Sequence, residues 1–222
     1  LIVGGGLIQY APYPTQLNFE VLFGVLALLF VAAWFLPRHT VKKDAARWRM
    51  KLPVVPQGLG KVFFLSVTAV TSAYSLGSLM MSLGAQMVRD LIGSSNTLVN
   101  GAAMAIFALV FGLTGIVAKR MPSNQNIVIG GLCSAIGMTF IVVSSSQHAL
   151  LMFVIGSALS GSGYSLLFMG GLSLITSSTP VHHRGGTLSA VFLVAYLTQG
   201  IIAQLLGVAA TKWGLALAIN FG

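Results

Sequence analysis

Hydrophobic positions fill long stretches of this chain, and charged positions only punctuate them. One Lys, Arg or Asp at mid-membrane costs about 2.5 to 3.5 kcal/mol on insertion scales, so charge-free runs mark the segments able to cross a bilayer. They are Val21 to Pro37, Val62 to Val88, Leu91 to Ala118, Met121 to His183 and Gly185 to Thr211. The fourth run has 63 residues. At about 1.5 Å per helical residue it is roughly three times the hydrocarbon thickness, so it must turn back, and the polar cluster Ser144 to His148 is where it can. The pattern therefore predicts an all-α polytopic membrane protein with six complete transmembrane helices, at about 16–36, 62–86, 96–118, 125–144, 149–176 and 186–211, plus a partial helix at each end.

Composition strengthens this reading. The chain has 222 residues, 56% hydrophobic and 7% charged, with a mean hydropathy of +0.91, whereas soluble domains carry roughly 25% charged residues. Its net charge of +9 arises because it holds only 3 Asp and Glu, which argues against nucleic-acid binding. The basic residues alternate in a telling way. Arg38, Lys42, Lys43, Arg47, Arg49, Lys51 and Lys61 precede the second helix, Lys119 and Arg120 follow the third, and Arg184 precedes the sixth. These ten fall on one side of the membrane, against Arg89 and Lys212 on the other, and the excess assigns the basic loops to the cytoplasm. Leu1 and the apolar ends lead to the expectation that the sequence is a fragment of a longer chain, and the first residues lack the basic start of a signal peptide. The single Cys133 cannot form an internal disulfide.

The helix faces carry the functional information. In the second helix Thr68, Thr71, Ser72, Ser75, Ser78, Ser82 and Gln86 fall within an arc about 120° wide, with Tyr74 at its edge. Such a stripe either hydrogen-bonds across helix interfaces or lines a water-filled path, and for the stripe as a whole the path is the favoured reading. In the third helix Gly101, Ala105, Ala108, Gly112 and Gly115 form a small-residue seam expected to be a packing surface, with Gly130, Ser134 and Gly137 a weaker repeat. In the fifth, Ser157, Ser160, Gly161 and Tyr164 share a face, and Gly156, Gly163, Gly170 and Gly171 fit either bending or close packing. In the sixth, Tyr196, Gln199, Gly200 and Ala203 align, and Gln199 is the best single candidate for solute contact, since an amide in mid-membrane needs partners or water. The expected substrate pathway is thus Thr71, Ser72, Tyr74, Ser75, Ser78, Ser160, Tyr164, Tyr196 and Gln199.

No span holds a central Asp, Glu, Lys or Arg, so a proton or ion relay is not visible here. Glu20 stands at a helix start, and Arg89 and Asp90 are expected to pair in a turn. Metal-site spacing, a phosphate-binding glycine loop and a nucleophile–base pair are all missing from the sequence, so no enzyme activity, cofactor or metal is expected.

Six helices, a long basic loop before the second and a short basic loop after the third resemble the C-terminal half of a major facilitator superfamily transporter. Val3 to Gln9 (VGGGLIQ) and AlaProTyrPro at 11–14 look like the end of the fifth helix of drug:proton antiporters. Gly115 to Arg120 (GIVAKR) sits where the family repeats its cytoplasmic gating loop, with Gly115 and Arg120 matching and Lys119 replacing the family's acid. Leu83 to Asn96 and Gly185 to Tyr196 also look like bacterial members. The resemblance implies that residues 1–36 are the end of helix five and helix six, 37–61 the basic cytoplasmic loop, and 62–222 the C-terminal bundle of helices seven to eleven with the start of twelve. It implies alternating-access transport of a small organic solute, by efflux, with proton coupling through the N-terminal half, in a bacterial inner membrane. The competing expectation is a non-transporting membrane subunit or an inactive truncated carrier.

Overall fold

The computed structural model describes residues 6–7, 10, 13, 16–35, 55–56, 58–92 and 97–213. Six long helices carry them: α1 (Leu17–Trp34), α2 (Gly60–Ile92), α3 (Thr97–Ala118), α4 (Ser123–Gln147), α5 (Leu150–Ser178) and α6 (Arg184–Trp213). Their positions follow the charge-free runs. Five are long and apolar enough to cross a membrane. The shorter apolar stretch of α3, Met104–Ala118, follows a polar start at Thr97 and Asn100, yet α3 as a whole has 22 residues, about 33 Å of helix. The partial helices expected at the two ends, and most of the basic loop from Arg38, lie outside the described residues.

Two boundaries differ from the sequence reading. α2 continues six residues past Gln86, so Arg89 and Asp90 belong to its last turn rather than to a loop. Arg89 there meets the negative end of the helix dipole. α4 likewise runs through the Ser144 cluster to Gln147 and stops at His148, which takes a left-handed conformation with φ 52° and ψ 36°. The Ala149 amide then donates to the Ser144 carbonyl at 3.3 Å. One left-handed residue reverses the chain, and the three serines stay helical.

α5 is the central helix, packing on α2, α3, α4 and α6, while α6 lies mainly against α2. Glycine makes these approaches possible. On α5, Gly156, Gly163 and Gly170 recur every seven residues and meet α4 at Gly137 and Ile141, at Gly130 and Ser134, and at Ser123 and Asn126. A Cβ on Gly163 would lie 2.7 Å from the Ser134 amide nitrogen, and one on Gly137 2.7 Å from that of Ser160. Lipid tails are as apolar as leucine, so helices in a bilayer associate through such close backbone contact rather than by escape from water. Gly161 faces the Phe107 carbonyl of α3, and Gly171 faces Ser66 and Val70 of α2. The α5 glycines thus serve packing, and α4, expected to be the weaker seam, makes the tightest contact. The seam expected on α3 is corrected in turn: Ala108 and Gly112 point outward, with nothing within 4 Å of a Cβ on Gly112. Of the expected seam Gly115 does pack on α5, and α3 meets that helix there and through Phe107 and Thr114.

α2, α4 and α6 begin at the end of the bundle where α3 and α5 finish. Ser123 and Ser173 hydroxyls pair there at 3.0 Å, and Asn126 Nδ2 donates to the Ala118 carbonyl at 2.9 Å, fastening the α3–α4 turn. At the α5–α6 turn, Pro180 follows the last turn of α5 and Arg184 Nε donates to the Thr179 carbonyl at 3.0 Å. Lys61, Lys119, Arg120 and Arg184 are exposed at this end, whereas Arg89 and Lys212 belong to the other. Cysteine at Val181 should therefore be labelled by an impermeant thiol reagent from one side of the membrane, and cysteine at Gln147 from the other. Labelling of both from the same side would break the topology.

Candidate functional site

α2 buries one flank and leaves its polar stripe partly uncovered. Val70, Ala73, Tyr74 and Leu79 are buried against the neighbouring helices. Thr68, Ser72, Ser82 and Gln86 are exposed, Thr71 and Ser75 half-buried, and Ser78 buried. Ser75 Oγ donates to the Thr71 carbonyl at 2.9 Å, whereas Thr71 Oγ1 and Ser78 Oγ have no hydrogen-bond partner among the described residues. Neither hydroxyl is bonded across to a neighbouring helix, and the exposed members of the stripe stand outside the helix packing. The outward faces of α3 and α4 show what a lipid-facing surface looks like here: Leu109, Leu113 and Ile116 on one, Val128, Leu132 and Ile136 on the other. α2 presents Phe64 and Leu65 outward near its start, and from Thr68 onward its exposed positions include Ser72, Ser82 and Gln86 beside Met81.

Beside the stripe, seven rings from α2, α3, α5 and α6 form one network. Tyr164 is its hub and packs against all three buried clusters of the bundle. Its ring meets Phe111 edge-on at 5.0 Å and Phe107 at 5.9 Å, and stacks with Phe168 at 6.2 Å. Gly77 leaves room for it, since a Cβ there would be 3.0 Å from Tyr164 Cε2. Tyr74 bridges the hub to α6. It is stacked on Phe168 at 5.9 Å, lies 5.1 Å from Tyr196 and shares a side-chain hydrogen bond with it. Edge-to-face and offset arrangements of this kind add about 0.5 to 1.5 kcal/mol per pair beyond area burial.

Tyr74, Tyr164 and Tyr196 are thus brought together, with Thr71, Ser75 and Ser78 along the same stretch of α2 and half-buried Gln199 one turn beyond Tyr196. Ser72 is exposed on the far side of the stripe. Ser160 stands apart: it is fully buried with its hydroxyl against Gly137, inside the α4–α5 interface. Of the residues expected in the gating loop, Lys119 and Arg120 are exposed in the α3–α4 turn, while Gly115 is buried within α3 beneath Ser165. Phe107, Phe111, Phe168 and Phe192 escaped the sequence reading. The signal was present, because Phe107/Phe111, Tyr164/Phe168 and Phe192/Tyr196 are aromatic pairs at i, i+4 spacing, each on one helix face. Among the described residues, no group of three or more His, Cys, Asp or Glu could hold a metal ion.

A bundle of membrane-length helices with no charge in mid-span among the described residues is an integral membrane protein. The sequence matches the family model of the Major Facilitator Superfamily over residues 1–203, and the chain belongs to that superfamily. Comparison with curated proteins and with solved structures finds no match. Membership makes this a membrane transport protein with a small-molecule substrate.

Proposed function

We propose that the chain forms half of a secondary carrier that exports a small organic solute by alternating access, and that the polar face of α2 with Tyr74, Tyr164, Tyr196 and Gln199 lines the path. One observation carries this reading: Thr68, Ser72, Ser82 and Gln86 are left outside the helix contacts of their own bundle, with Thr71 and Ser75 half-buried beside them, where contact with lipid would leave exposed polar groups without partners. A cavity at the interface of two helical repeats, near the bilayer midplane, would hydrate it. Lys119 and Arg120 serve the cytoplasmic loop that the family uses in gating. Family membership favours transport over a non-transporting subunit.

Because the described spans hold no central ionisable group, this half contacts solute, and proton coupling belongs to the other half of the carrier. In the whole carrier, Gln199→Ala should raise the apparent KM for the solute by about 1 to 2 kcal/mol in free-energy terms, the loss of one buried hydrogen bond. The pH profile of transport should stay in place. An unchanged KM with a displaced pH profile would refute this division of labour.

A further inference from the structure

Resting on the pathway reading above, we propose that the solute is a planar aromatic molecule without negative charge, seated on the exposed ring of Tyr196. That ring is 60% exposed, whereas Tyr74 behind it is only 7% exposed, and the two centroids are 5.1 Å apart. Tyr196 is further braced by Phe192 at 6.2 Å, and Tyr74 by Phe168. A ring held on a foundation of rings loses little freedom when a flat ligand stacks on it.

The surrounding polar groups set the charge preference. Thr71 and Ser78 flank Tyr74 three residues before and four after it, Ser78 is 3% exposed, and both hydroxyls lack a partner among the described residues. Both oxygens are buried, so the neutral hydrogen bonds open to a solute come from half-buried Ser75 and Gln199. Between Lys61 and Arg89 on α2, throughout α5, and between Arg184 and Lys212 on α6 there is no Asp, Glu, Lys or Arg. On these helices a carboxylate or phosphate would find no cation to replace its hydration, and the negative ring faces would repel it. A neutral or cationic aromatic meets neither penalty. A hexose would bring more hydroxyls than these few groups can satisfy.

The test is equilibrium binding to the whole purified carrier with four probes: 2-naphthol, N-methylquinolinium, 2-naphthoate and glucose. Naphthol and methylquinolinium should bind, and naphthoate and glucose should not. Tyr196→Leu should weaken the two aromatic probes by about tenfold, while Tyr196→Phe leaves them within about twofold. Naphthoate binding as tightly as naphthol, failure of both aromatic probes to bind, or indifference to Tyr196→Leu would each overturn the proposal. Transport of an anion or sugar, with water still reaching the α2 stripe, would overturn the aromatic preference and leave the pathway standing. A dry stripe would instead overturn the pathway.

Discussion

Gly163→Val should prevent the protein from reaching its folded form in the membrane, the largest single-residue effect expected in this chain. A Cβ at Gly163 runs into Ser134 Oγ and comes within 2.7 Å of the Ser134 amide and 2.9 Å of the Gly130 carbonyl. Two of those three obstacles are backbone, so no rotamer change relieves them, and α4 would have to move bodily away from α5. Overpacking of a core typically costs about 1 to 3 kcal/mol when side chains can yield, and the cost here should exceed that. Gly112→Val is the matched control, because nothing lies within 4 Å of a Cβ at Gly112. The check is the yield of monodisperse protein and its melting temperature in detergent. Equal yields for the two variants would contradict the close α4–α5 contact.

Tyr164→Ala should be the next most damaging change, and for a different reason. The ring joins three clusters that otherwise share few residues, so its removal opens a void between α2, α3 and α5 at once. Truncation of a buried aromatic costs about 3 to 5 kcal/mol in soluble cores. About 3 kcal/mol is expected here, since Tyr164 is only partly buried and lipid offers no hydrophobic penalty to the separated helices. Transport should be lost even where folded protein survives. Tyr164→Phe, which keeps the ring contacts, should retain the melting temperature within a few degrees. Equal stability of Tyr164→Ala and the parent protein would deny the hub role.

Helix number, direction and approximate ends were legible because charge is so costly in hydrocarbon that a few ionised residues fix the boundaries. The errors came where that logic is silent. Ser144, Ser145 and Ser146 are polar but uncharged, and a helix accommodates them, so the helix ends at Gln147 rather than 144 and the turn falls on His148, the last residue of the expected cluster. Small residues signal a surface that permits close approach without saying whether a partner exists: Gly112 has none, and Gly137 has the closest. The polar stripe of α2 was readable from its period, and its outward placement required the packing of α5 and α6 on the opposite flank. Ser160 shows the converse, since a serine on the same face as Tyr164 by angle is closed off by α4 once the helices pack.

Whether water reaches the α2 stripe is the claim on which the account turns, and thiol reactivity measures it most directly. Cys133 would first be replaced by serine. Single cysteines at Ser72, Ser75, Ala73 and Leu132 would then be exposed to a charged thiol reagent in membranes. Ala73 is buried against α5, and Leu132 is exposed on an aliphatic face of α4, so the first reports protein packing and the second reports lipid. A thiolate forms in water and not in hydrocarbon. Cysteines at Ser72 and Ser75 should therefore react at least about tenfold faster than both controls. Reaction as slow as at Leu132 would mean that the stripe faces lipid, and would contradict the pathway.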